Sequence, residues 1–169
     1  MSLRIIHTAD WHLGQTFFGY DRDEEHEAFL SWLIDILTLR QTDVLLIAGD
    51  VFDVANPSAA AQRRFFRFLR EANRCNPQLQ IVIIAGNHDS AARLEAPIPL
   101  LEELNTSIVG AVPRTDLCKI DFDSLLIPLY NKEGKREAIC LAVPYLRQGD
   151  YPACLLYTSP SPRDAHESR

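Results

Sequence analysis

An α/β fold with a parallel sheet is predicted by three short β-branched runs, by the helical stretches between them, and by the turns that follow them. The runs are residues 3–7 (LRIIH), 43–48 (DVLLIA) and 80–85 (QIVIIA). Each is short and rich in Ile, Val and Leu, the pattern of a strand covered on both faces. Between the first two, over residues 23–40, Ala28, Phe29, Trp32, Leu33, Ile36 and Leu37 recur at helical spacing and form an amphipathic face. Trp32 is assigned to the core of that face rather than to a base-stacking platform. Between the second and third runs, Pro57 and Ser58 offer a helix start. Ala61, Phe65, Phe68, Leu69 and Ala72 then line the inner side of a helix ending near residue 73. The order is β-α-β-α-β, and right-handed crossovers bring the carboxyl ends of all three strands to one edge. Ligands of open α/β sheets bind beyond such an edge.

After residue 89 a short helix over 92–104, broken by Pro97 and Pro99, is expected. A β-hairpin from residues 117–130 and 138–145 should follow, closed by the turn-forming residues 131–135. Arg63, Arg67, Arg70 and Arg74 fall on the side of the second helix opposite Phe65 and Phe68, and read as a solvated outer face rather than a phosphate-binding stripe.

The 169 residues, 47% hydrophobic and 24% charged, are enough for one core. No apolar run approaches the roughly 20 residues of a membrane span, and a soluble, cytoplasmic protein is expected. Cys75, Cys118, Cys140 and Cys154 are widely spaced, without a C-x-x-C pair, and read as reduced thiols. A net charge of −6 argues against a broad basic face for gripping nucleic acid. It is compatible with phosphate chemistry if cations held in an acidic pocket provide the positive charge.

Each predicted strand runs into a turn of metal-binding residue types. His7, Asp10 and His12 follow the first, Asp50 and Asp53 the second, and Asn87, His88 and Asp89 the third, with Gly49 and Gly86 opening the latter two turns. Oxygen and imidazole donors without thiolate suit manganese, magnesium, iron or zinc in a reactive rather than a structural site. Singly, each turn is an ordinary cap or loop. Together, at one sheet edge, they assemble several carboxylates with no basic partner in the motifs, which is costly unless cations neutralise them.

The patterns D-x-H, G-D-x-x-D and G-N-H-D, in this order and spacing, resemble those of the calcineurin-like metallophosphoesterases. The longer strings HTADWHLGQ, AGDVFD and AGNHDS are similar to those of the SbcD-like DNA nucleases within that superfamily, with VPYLR at residues 143–147 extending the likeness. The resemblance implies a layered α-β-β-α sandwich, of which residues 1–153 would be the N-terminal part, and a centre of two divalent ions, Mn2+ first and Mg2+ as the alternative. It implies that Asp10 and His12 bind the first ion, that Asp50 bridges both, and that Asn87 binds the second. His88 would face the scissile phosphate with Asp53 orienting its imidazole, and Asp89 would support the ligands or cap a helix. Implied partners are DNA, an SbcC-like ATPase subunit, and a second copy of the chain within a heterotetramer or larger complex. Exposed residues among Phe17, Phe18, Phe29 and Phe66 are candidates for the subunit interface. A phosphatase or cyclic-nucleotide phosphodiesterase of the same superfamily is the alternative enzyme. A non-catalytic scaffold is disfavoured by the intact set of motif residues.

Two departures from the family pattern stand out. The later His and the Gly-His-x-His element that would complete the ligand set do not occur after Asp89, the only later histidine being His166 in the suspected tail, so these 169 residues alone are expected to bind metal weakly and cleave DNA poorly. Residues 154–164, CLLYTSPSPRD, are similar to the translation of a sequencing-library adapter. Residues 154–169 are therefore expected to be a non-native read-through tail, a natural Ser/Pro-rich tail being the plain alternative.

Overall fold

The computed structural model describes residues 2–101, 104–116, 119–147 and 150. Its order is β1 (Ile5–Thr8), β2 (Thr16–Phe17), β3 (Tyr20–Asp21), α1 (Asp23–Leu39), β4 (Val44–Ala48), α2 (Ala59–Cys75) and β5 (Gln80–Ile84). There follow α3 (Ala91–Glu95), α4 (Ile98–Leu101), β6 (Thr106–Val109), β7 (Arg114–Asp116), β8 (Lys119–Ile120), β9 (Leu126–Tyr130) and β10 (Arg136–Leu141). The three predicted runs become β1, β4 and β5, which pair in parallel with β6 in the order β1-β4-β5-β6.

Alternation along these strands divides the interior in two. Leu45, Ile47, Ile81 and Ile83 face α1 and α2, while Val44, Val82 and Val109 face the antiparallel β9–β10 hairpin through Leu125, Ile127 and Leu129. Continuous apolar runs are thus required, because both faces of the sheet are covered. The described residues form three layers, helix, sheet and sheet. Among them no helix is long and apolar enough to cross a membrane.

Helix α2 follows the sequence closely. Ser58 caps it, its hydroxyl accepting from the Ala61 amide at 3.1 Å, and Ala61, Phe65, Phe68, Leu69 and Ala72 are buried. Arg63, Arg67, Arg70 and Arg74 are exposed. Arg64 alone turns inward and pins α2 to α1, with Nη2 2.8 Å from Asp23 and Nε 3.1 Å from Glu27. The hydrogen bond from Arg64 holds the Asp23 carboxyl below its ordinary range.

Helix α1 is rotated from expectation. His26, Leu30, Leu33 and Leu37 are buried, whereas Ala28 is exposed and Trp32 is 56% exposed, its ring beside Phe29. Trp32 is therefore not a core residue. Spacing of four, three and four residues defines the buried stripe, and the Arg64 contacts to Asp23 and Glu27 fix which side meets α2. Of the four phenylalanines named as interface candidates, Phe29 and Phe66 pack against the core, while Phe17 and Phe18 are exposed on the β2–β3 hairpin.

Three further differences concern the second half. The helix over 92–104 is two short pieces, α3 and α4, separated at Ala96–Pro97. Strand β6 has no counterpart among the expectations, since its four residues include Thr106 and Ser107 and lack an apolar run. The strand expected over 117–130 is divided: β8 pairs back with β7, and a 3-10 turn at Asp123–Leu125 precedes β9. Asp121 stops the strand there by accepting from the Ser124 amide and hydroxyl. Cys75 and Cys140 are free thiols; Cys118 and the tail at 154–169 lie outside the described residues.

Phe65 is fully buried and makes edge contacts with Trp11 and Phe52. Its replacement by Ala should therefore cost about 3–5 kcal/mol. Trp32→Ala should stay within about 1 kcal/mol of the parent, as exposed substitutions do. Urea denaturation of the two variants checks this assignment of core and surface.

Candidate metal centre

The carboxyl ends of β1, β4 and β5 lie side by side, in register from Thr8 opposite Ile47 to Ala48 opposite Ile84. The pairing continues past the strands. Asp10 donates its amide to Gly49 at 3.2 Å, His12 to Asp50 at 2.9 Å and Leu13 to Val51 at 3.0 Å, so the first turn is laced to the second. The Gly49 amide in turn reaches Ile84 at 3.0 Å, at the root of the third turn. Main-chain bonds thus join the first turn to the second, and the second to the root of the third.

This tight lacing demands unusual backbone. Asp10 (φ 56), His12 (φ 47) and Asp50 (φ 41) all occupy the left-handed region, which Asp and His tolerate better than most residues. Gly86 is required for a different reason. A Cβ there would lie 2.0 Å from Asp50 Oδ1 and 2.3 Å from the Asp50 amide, so only hydrogen fits between the second and third turns.

Two sets of side chains emerge, sharing His12. Ligand atoms of Asp10, His12 and Asp50 lie within 4.8 Å of one another, and so do those of His12, Asp53 and His88. Asp50 is buried, with Oδ1 accepting the His88 amide at 2.9 Å and Oδ2 3.8 Å from His12 Nε2. Nδ1 of His12 is buried without a hydrogen-bond partner, 3.3 Å from an Asp53 carboxylate oxygen. The His12 and His88 rings stand edge to face with centroids 5.0 Å apart. Asn87 is exposed, in the turn between Gly86 and His88. His7, on β1 ahead of its turn, is in neither set.

Nδ1 of His88 lies 2.6 Å from the backbone carbonyl of Asp53, whose carboxylate faces His12 and accepts from Gln15 at 3.3 Å. Orientation of the His88 ring therefore comes from the main chain of Asp53 and not from its side chain. A carbonyl only accepts, so Nδ1 carries hydrogen and Nε2 is the nitrogen left to exchange a proton. The Asp53 carbonyl, with the carboxylates of Asp50, Asp53 and Asp89 nearby, raises the His88 imidazole above its usual range.

Asp89 is 1% exposed and acts on the backbone of two turns. Its carboxylate accepts from the amides of Val51 at 3.1 Å, Phe52 at 3.0 Å and Gly86 at 2.9 Å. Ser90, not Asp89, is the N-cap residue of α3. Two of the three donors, Val51 and Phe52, lie 38 and 37 residues away, so nothing local in the sequence announces the tie to the second turn.

Among the described residues, no Lys or Arg forms an ion pair with Asp10, Asp50 or Asp53. Clustered carboxylates, an unpartnered buried imidazole nitrogen and an all-oxygen-and-nitrogen donor set fit divalent cations. Asp10, His12 and Asp50 form one candidate set for such a cation, and His12, Asp53 and His88 the other.

A parallel α/β sheet with these turns at its carboxyl edge defines a metallophosphoesterase. The calcineurin-like phosphoesterase family profile matches residues 3–142, and the chain belongs to that family. Among curated proteins it is 50% identical over 154 residues to the SbcD subunit of the SbcCD nuclease of Rhodobacter capsulatus, covering 91% of this chain and 38% of that one. It is 35% identical over 148 residues to the SbcD subunit from Escherichia coli K12, covering 88% of this chain and 34% of that one. With the SbcD subunit of Bacillus subtilis, identity is 41% over 122 residues, covering 72% and 31%. The chain spans about a third of the length of these relatives and aligns as an SbcD-type fragment.

Asp89→Ala should orphan three amide donors at once. At about 1–3 kcal/mol per unsatisfied buried group, the loss should exceed about 3 kcal/mol. Asp89→Asn, which keeps an acceptor oxygen, should lose less. Thermal or urea unfolding of both variants provides the test, and equal losses would contradict the assignment.

Proposed function

We propose that the full-length protein bearing this chain is a metal-dependent DNA nuclease. It would hydrolyse phosphodiesters of duplex ends exonucleolytically and open single strands and hairpins endonucleolytically, in DNA repair, replication and recombination. The observation that carries the reading is the convergence of Asp10, His12 and Asp50 with Asp53 and His88 at one sheet edge, unneutralised by any described Lys or Arg. Similarity to three SbcCD nuclease subunits supports DNA as the substrate class and an SbcC-like ATPase as partner. A dimer of this subunit within the larger complex, manganese as the ion and a cytoplasmic location complete the proposal.

Asp10, His12, Asp50 and Asn87 would hold two divalent cations, which when bound polarise the phosphate and acidify an attacking water. The chain's own contribution is placement. Asp50 turns Oδ2 toward His12 while Oδ1 is occupied by the His88 amide. His88, held by the Asp53 carbonyl, keeps Nε2 free to stabilise charge on the phosphate or to protonate the leaving oxygen. Asp53 thereby positions His88, and Asp89 maintains the turns.

The full-length protein should cleave linear duplex DNA in the presence of Mn2+, lose that activity with a chelator, and prefer DNA to p-nitrophenyl phosphate. Asp50→Asn and His88→Ala should each lower turnover at least about 10²-fold, the scale of losing one charge-stabilising group. Hydrolysis of p-nitrophenyl phosphate with no action on DNA would replace the nuclease reading by a phosphatase. The 169-residue chain should bind Mn2+ more weakly than the full-length protein, as titration calorimetry of the two would show.

A further inference from the structure

The third motif turn is held from outside by a segment that the metal chemistry does not use. After β10 the chain leaves the second sheet and returns to the carboxyl edge of the first. There the Tyr145 amide donates to the Ala85 carbonyl at 2.9 Å, one residue before the turn of residues 86–89. Two residues later, Arg147 Nη2 donates to the Asp89 carbonyl at 2.7 Å, at the turn's other end. The main chain of Arg147 is itself anchored, its amide 2.7 Å from an Asp150 carboxylate oxygen.

We infer that residues 145–147 form a strap that sets the geometry of the Gly86–Asp89 turn, with Arg147 as a positioning residue for Asn87 and His88. Asp89 is bound twice. Its carboxylate gathers the amides of Val51, Phe52 and Gly86 from below, and its carbonyl is drawn outward by the guanidinium. Without the second contact the Asp89 carbonyl loses its side-chain partner, and His88, whose side chain is exposed and whose ring is held by one carbonyl, loses a neighbouring fixed point. Arginine suits the role because its charge is delocalised and the remaining guanidinium hydrogens stay solvated at this exposed position. A charge-assisted hydrogen bond of this kind is also stronger than a neutral one.

The inference rests on the proposed metal centre only for its catalytic consequence, so two measurements separate the two. In the metal-free 169-residue chain, Arg147→Met should speed hydrogen exchange of the Gly86 and His88 amides about tenfold, the weight of one charge-assisted hydrogen bond, with the β4 amides unaltered. Arg147→Lys, which keeps a charged donor, should restore part of the protection. In the full-length protein, Arg147→Met should weaken Mn2+ binding and lower kcat by a similar factor while KM for DNA stays fixed. Unchanged exchange at Gly86 and His88 overturns the strap. A raised KM with a shallower salt dependence and unchanged kcat also overturns it, because Arg147 would then be a phosphate contact. If the parent full-length protein neither binds Mn2+ nor cleaves DNA, the nuclease reading fails while the exchange result still judges the strap.

Discussion

The contact between the Asp50 side chain and the backbone of residues 86–88 governs the geometry of the whole sheet edge. The second and third turns approach so closely that no side chain fits at Gly86, where a Cβ would meet Asp50 Oδ1 at 2.0 Å. At that separation Oδ1 is committed to the His88 amide and Oδ2 is turned toward His12. One oxygen of the carboxylate is structural and the other is available to a cation. A residue that merely hung from the end of β4 would have neither the fixed direction nor the neighbours. Asp50 is thus a hinge point between turns as well as a ligand candidate.

Holding three non-glycine residues at positive φ is unfavourable, by about 1–3 kcal/mol each where the conformation is sparsely populated. The offset comes from the surrounding hydrogen bonds. The first turn is tied to the second by amides of Asp10, His12 and Leu13, and the second to the third through Asp89. Beneath them Trp11, buried among Phe29, Phe65 and Phe68, anchors the first turn in the helix-facing core. Trp11 also donates its indole N–H to Thr8 at 3.0 Å, so its one polar group is satisfied. Packing energy from the interior therefore helps to stabilise a strained edge.

Legibility in the sequence follows the range of the interaction. Strands β1, β4 and β5 are readable because burial on both faces produces unbroken apolar runs, and α2 because its capping serine and apolar stripe are local. The apolar residues of α1 spread over more than one face, so spacing alone turns Trp32 inward, whereas the polar His26 takes an inner place. Strand β6 is hidden by its brevity and by Thr106 and Ser107. At the site, the motif turns are evident as side-chain types at strand ends. Main-chain acceptors carry no such signature, so the Asp53 carbonyl that orients His88 leaves no trace in the sequence. Contacts such as Asp89 to Val51 and Arg147 to Asp89, 38 and 58 residues apart, can be found only in three dimensions.

The acidic balance of the chain is consistent with phosphate chemistry once its cations are located. Arg64 is occupied with Asp23 and Glu27 in joining α1 to α2, and Arg67 shares Glu27. Arg22 is directed to Glu25 and Gln15, and through Gln15 it supports Asp53. Arg147 serves the backbone of Asp89. These arginines organise carboxylates and carbonyls instead of forming a broad basic field, which is the usual source of nonspecific affinity for nucleic acid. At the sheet edge, among the described residues, the carboxylates of Asp10, Asp50 and Asp53 have no Lys or Arg ion-pair partner, so the strongest attraction for a phosphate there is conditional on bound metal. A phosphate ester would then be drawn to the loaded centre rather than to the chain's wider surface.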